Sequence, residues 1–329
     1  MSARSTRTPE RADTGRLAVD RVVVGNVPGP ARVAGVLLVL AGLVGAVAAF
    51  LPYLVVGGRS VTIATGVGSA LVALLVPVAD AVVGATLARG QVPKLGLAYA
   101  AVNGALAVGS LLIALYEGRA STSRPAMEVI AGRQVLTSSI AVRPGWVLAV
   151  AALVLAVVAG ACAVAAWGRT VMEDGGSLDP SRPALAGTAV LLGVGTVLCL
   201  ALPSADLPDK IVTDPSTGMQ TVVAREGPQT LLERPGLALL GGLLLAGAVV
   251  LCSVIAPSLR PRLATVGGLL AIAVTVLAAA LDGVRDALGS AGLEWTVPGV
   301  GLLLAGLGYA LLTVLAWRVR RGAVVPPHS

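Results

Sequence analysis

The sequence predicts an all-α polytopic membrane protein: eight transmembrane helices forming two tandem four-helix halves, with a small extracytoplasmic β-hairpin cap. Three observations predict it. Of 329 residues, 56% are hydrophobic and only 12% charged, where a soluble domain carries roughly a quarter, and the mean hydropathy is +0.89. Apolar runs long enough to cross a hydrocarbon core of ~30 Å recur along the chain. Lys and Arg gather in alternate loops, which sets the side on which each loop lies. With one Phe and four Trp against abundant Ala, Val, Leu and Gly, the helices must pack through small residues that let backbones approach.

Residues 1–30, rich in Arg, Ser, Thr, Pro and Asp, read as a disordered basic cytoplasmic tail rather than a cleaved leader. The first span runs from Arg32 to Val56, with Leu51-Pro52-Tyr53 at the outer interface. The second and third form a hairpin within residues 66–118, turning between Gly90 and Pro93. A fourth span covers Trp146–Trp167, a fifth Ala184–Leu202, a sixth Gly236–Ile255, a seventh Leu263–Leu281 and an eighth Val297–Trp317. Arg89 and Lys94, Arg260 and Arg262, and the Arg318–Arg321 cluster share a side with the Arg-rich tail, so both termini are expected in the cytoplasm of a bacterial cell. The net charge of +7 is therefore a topology signal and an attraction to anionic lipid; no nucleic-acid partner is expected.

Repetition divides the chain. Residues 31–169 and 184–321 each supply four spans around a cytoplasmic linker at 170–183, and 322–329 form a short tail. Spans one and five begin Ala34-Gly35 and Ala186-Gly187 and end Leu51-Pro52 and Leu202-Pro203. Spans four and eight open at Pro144-Gly145 and Pro298-Gly299 and close on Trp167 and Trp317. With four spans per half, the repeats are parallel and related by an axis along the membrane normal. Three outer segments read as hairpins: Leu54–Ile63 around Gly57-Gly58, Met127–Thr137, and Lys210–Ala224 with a turn at Asp214–Gly218. An isolated hairpin is marginal in water, so the three are expected to pair into one sheet over the helices.

Leu51-Pro52-Tyr53 at the end of a first span, a β-prone outer loop, and a last span opening Gly145-Trp146 and closing Trp167-Gly168-Arg169 resemble a broad group of uncharacterised actinobacterial tetraspan membrane proteins. The resemblance applies to each half separately. It implies no activity and carries over no functional residue.

Chemistry is sparse. Asp80 is the one ionisable side chain placed deep in a span, and Asn103 lies equally far from the turn centre on the partner span, so the two can bond to each other. Pro77 cannot donate to the carbonyl of Ala73, which makes the helix kinked and locally polar there. Two readings stand: a proton or cation relay, or a hydrogen-bonded clip between helices. Glu117, Asp282, Arg285 and Glu294 at outer span ends form a candidate charged patch, with Asp282 and Arg285 at i,i+3 spacing. Their alternatives are a solvated ion pair and a ligand or partner surface. Ala41, Gly45 and Ala49, and likewise Ala238, Gly242 and Ala246, have the four-residue spacing of close helix contacts.

Cys162, Cys199 and Cys252 fall inside apolar runs without paired spacing, and the sole histidine, His328, is terminal. No phosphate loop or metal-ligand cluster is visible, and Asp206 to Asp209 is the nearest approach to an acidic motif, so no catalytic residue, cofactor or metal is expected. The leading expectation is a non-catalytic accessory, scaffolding or partner-binding protein of the bacterial cell envelope, in the plasma membrane, contacting membrane lipids and other envelope proteins. The alternative is a small-solute or ion transporter using Asp80 and Asn103.

Overall fold

The computed structural model describes residues 23–25, 27–56, 59–119, 127–130, 133–136, 140–173, 178–203, 205–206, 210–213, 220–223, 236–289 and 294–318. Among them are eight helices long and apolar enough to cross a membrane, which makes the chain an integral, multi-pass membrane protein. These are α1 (Gly29–Phe50), α2 (Val67–Ala88), α3 (Pro93–Glu117), α4 (Pro144–Trp167), α5 (Arg182–Leu200), α6 (Leu237–Ile255), α7 (Arg262–Gly289) and α8 (Val297–Arg318).

Proline sets most of the helix starts. It stands within the first two positions of α1, α3, α4 and α5, where its missing N–H has no partner to lose. Proline also corrects the first span: α1 stops at Phe50, because Leu51 precedes Pro52 and is forced into an extended conformation (φ -90°, ψ 155°). The remainder of the expected span, Pro52–Val56, is a strand. The seventh span, by contrast, exceeds its expected end. α7 continues to Gly289, through the polar turn of Asp282, Arg285 and Asp286, whose ion pairs lie along its own surface.

α1 packs against α2 and α4, and α3 against α4; in the second half α5 packs against α6 and α8, and α7 against α8. α3 joins the two sets through α6 and α7, and α2 also meets α7. α3 and α7 are accordingly the most enclosed helices. Glycine makes these approaches: a Cβ on Gly104 of α3 would lie 2.8 Å from the Cα of Gly160 of α4, and one on Gly109 of α3 would lie 2.6 Å from backbone atoms of Gly241 and Leu245 in α6. α1 and α2 cross where Gly35 faces Gly84 and where Gly42 faces the carbonyl of Pro77. Ala41 and Ala49, like Ala238, Gly242 and Ala246, are buried as their spacing suggests, yet the tightest contacts fall on neighbouring glycines.

The strands are short. On the face that carries the helix termini nearest the chain ends, β1 (Val23–Val24) pairs with β7 (Met172–Glu173), tying the segment before α1 to the one after α4. On the opposite face β2 (Pro52–Val56) pairs with β3 (Arg59–Thr62) and with β6 (Ile140–Val142) in a three-stranded sheet. β4 (Met127–Ile130) pairs with β5 (Arg133–Leu136), β8 (Ala205–Asp206) with β11 (Glu294–Trp295), and β9 (Lys210–Thr213) with β10 (Gln220–Val223). All three expected hairpins form strand pairs, although the turns at Gly57-Gly58 and Asp214–Gly218 lie outside the described residues. Among the described residues they do not pool into one sheet: β2–β3 alone gains a third strand, and that strand is β6, held there because Gly145 lets the start of α4 sit against the carbonyls of Leu51 and Pro52.

Candidate functional site

Among the described residues two charged side chains are buried, Asp80 and Lys94. Asp80 lies on α2 and points at α3, where Tyr99 and Asn103 stand one helical turn apart on the same face. Tyr99 Oη donates to Asp80 Oδ1 at 2.8 Å, and Asn103 Nδ2 donates to the same oxygen at 3.0 Å. Asp80 and Asn103 thus meet as their matched depth requires; Tyr99 was not singled out by the sequence, and its i,i+4 spacing to Asn103 is the signal that could have found it. Tyr99 is fully buried. Each donor is neutral and the acceptor is the one acid in the middle of a span, so the cluster can stabilise a carboxylate without importing a second charge.

Pro77, three residues before Asp80, also forms part of a helix contact. α2 runs through it unbroken, and its ring and carbonyl lie against Gly42 and Gly45 of α1. That contact fixes α2 against α1 one turn before Asp80.

Lys94 begins α3 immediately after Pro93. Its Nζ donates to the carbonyl oxygen of Trp167, the last residue of α4, at 2.7 Å and sits 4.2 Å from the centroid of the Trp167 ring. The last carbonyls of a helix lack internal partners and form the negative end of its dipole, so a cation is favourable there. Arg262, immediately after Pro261 at the start of α7, makes the same bond, from Nη1 to the carbonyl oxygen of Trp317 at 2.8 Å. Arg182 adds a third contact of this kind, donating from Nη1 to the carbonyl oxygen of Ser258 at 3.1 Å, while its Nε lies 3.1 Å from Asp179. The sequence presents Lys94 and Arg262 only as loop charges; nothing in their spacing from the distant Trp residues reveals the bonds.

At the opposite face the candidate charged patch resolves into pairs. Tyr53 Oη, on β2, donates to Glu117 Oε2 at 3.0 Å. Burial, together with the charge and hydrogen bond of Glu117, holds the Tyr53 hydroxyl well above the usual tyrosine value. Arg285 lies 2.8 Å from Asp282 and 2.9 Å from Asp286, the second partner being one the sequence reading did not include. Glu117 is near enough to Asp282 to act on it electrostatically. Glu294 enters through its backbone, opposite Asp206 in β11–β8; its side chain and Asp209 lie outside the described residues. Trp146 Nε1 caps the end of α3 by donating to the carbonyl oxygen of Ala114 at 2.8 Å.

The second half has its own buried polar contact. Ser253 Oγ and Tyr309 Oη are 2.6 Å apart, and Tyr309 donates to the carbonyl oxygen of Ala189 at 3.1 Å. No acid takes part, so this cluster binds α5, α6 and α8 without a titratable carboxyl.

No family model matches the sequence, and comparison with curated proteins and with solved structures yields no match.

Proposed function

We propose that this chain is a non-catalytic membrane scaffold or accessory protein of the bacterial cell envelope, built from two tandem four-helix halves with both termini cytoplasmic. The observation that carries the reading is the use of its polar groups at helix contacts: the buried Asp80 Oδ1, Lys94 and Tyr309, and Arg262 at an exposed helix end, each bond one helix to another. Those atoms, which a transport path or an active site would leave available, are here spent on holding helices.

Three correspondences support the tandem halves. Exchanging each helix of the first four with its counterpart four places later maps the main helix contacts onto themselves: α1 with α2 and α4 becomes α5 with α6 and α8, and α3 with α6 becomes α7 with α2. Lys94 with Trp167 becomes Arg262 with Trp317. The pairing of β2 with β6, joining the end of α1 to the start of α4, becomes that of β8 with β11, joining the end of α5 to the start of α8. On this reading the α3–α7 contact lies on the axis, and the strand pairs form an extracytoplasmic cap available to partner proteins.

Crosslinking in native membranes followed by isolation of the full chain tests the function, with Asp80→Asn run beside the wild type. A stoichiometric partner held by both supports a scaffold. Loss of no partner because none exists, together with an ion flux in vesicles that Asp80→Asn abolishes, replaces the scaffold with a transporter.

A further inference from the structure

The Asp80 cluster has a bonded side and an open side. Both hydrogen bonds of the cluster end on Asp80 Oδ1. Asp80 Oδ2 and Asn103 Oδ1, the remaining acceptors, receive no hydrogen bond from the described residues. Neither oxygen is fully enclosed, and the two residues keep 5% and 6% exposure. Bare acceptors are costly in a bilayer core, where an unsatisfied polar group costs several kcal/mol. Their depth is about half a bilayer: Asp80 and Asn103 each stand near the middle of a helix, roughly 17 Å from the α2–α3 turn at a rise of ~1.5 Å per residue.

We propose that Asp80 Oδ2, in the cluster completed by Tyr99 and Asn103, is a binding site for one exchangeable proton delivered on water. Hydronium gives its proton to Oδ2 and leaves as water; release is the reverse, and no electron changes hands. The bonds to Oδ1 persist in both states, so the site takes up a proton without dismantling the α2–α3 contact. A metal cation is a poorer occupant: hard cations want six or more oxygens, and among the described residues no three His, Cys, Asp or Glu side chains gather at a point. Of the helices packed against α2, α3 faces Asp80 with Tyr99 and Asn103, while α1 and α7 carry ionisable residues only at their ends. The inference stands apart from partner binding, and either can fail without the other.

The test is infrared difference spectroscopy of the full chain in bilayer discs of phosphatidylethanolamine and phosphatidylglycerol, stepped between mildly acidic and mildly alkaline buffer in H2O and in D2O. The expected result is a carboxylic-acid carbonyl band that grows on the acidic side, shifts in D2O, disappears in Asp80→Asn and changes frequency in Asn103→Leu. Thermal unfolding of each variant establishes that it is folded. Should Asp80→Asn not fold, the frequency change in Asn103→Leu and in Tyr99→Phe carries the assignment. A spectrum with no band dependent on these residues, or a band indifferent to D2O, overturns the proposal by making Asp80 a sealed clip. Removal of the band by added sodium chloride at constant pH also overturns it, in favour of a cation site.

Discussion

Asp80 persists in the middle of a span because Tyr99 and Asn103 offset the cost of desolvating its carboxyl. Hydrogen bonds between membrane helices average roughly 0.6 kcal/mol and reach about 1.7 kcal/mol, so Tyr99→Phe should lower stability by about 0.5–2 kcal/mol while leaving the fold intact. Asp80→Leu should cost more, since it strands both donors. Chemical unfolding in mild detergent compares the two. Tyr53 makes a second residue-scale prediction. Its hydroxyl is held above the usual value, so the folded protein keeps that proton longer than the unfolded chain does. The stability this confers is complete below the ordinary tyrosine value of about 10 and is lost as pH rises beyond it. Melting temperatures across the alkaline range should therefore fall less steeply for Tyr53→Phe than for the wild type. Asp80 and Asn103 were legible in sequence because depth in a hairpin can be counted from its turn. Lys94 was not: it sits at a loop boundary, and its partner is a backbone carbonyl 73 residues away, which no side-chain pattern records.

At the scale of elements, close contacts between backbones decide which glycines are indispensable. Gly109→Ala should separate α3 from α6, because its Cβ would meet backbone atoms of both Gly241 and Leu245. Such overpacking costs roughly 1–3 kcal/mol. Gly247→Ala on α6 meets nothing within 4 Å and should be neutral or stabilising by up to about 1 kcal/mol. Thermal unfolding of the pair in parallel separates packing from helix propensity. The helices themselves were plain from apolar length, and their misplaced ends have local causes: Pro52 turns the expected end of span one into a strand, and ion pairs along the surface of α7 carry it past Leu281. The hairpins were legible from turn residues flanked by β-prone runs. Their failure to merge was not, because β6 reaches β2 through the packing of Gly145 on the carbonyls of Leu51 and Pro52. That contact joins parts of the chain far apart in sequence.

At the scale of the whole molecule, each proposed half is fastened at both ends of the bundle. A cation at the start of α3 or α7 holds the end of α4 or α8 on one face, and a strand pair joins α1 to α4 or α5 to α8 on the other. The proposed repeat rests in the sequence on paired Pro-Gly and Trp positions, and its further support lies in bonds to backbone atoms. If these fasteners are equivalent, removing either should weaken the fold. The measurement is unfolding of Lys94→Met, Arg262→Met and the double variant in the same bilayer discs. Hydrogen bonds to charged groups contribute up to roughly 1.5–3 kcal/mol and less where solvent screens them, as at the exposed bond of Arg262, so the account predicts a measurable loss for each single change, additive in the double variant because the two sites do not share partners. One silent substitution beside one damaging one would contradict the claim that the chain is two repeated units held in the same way.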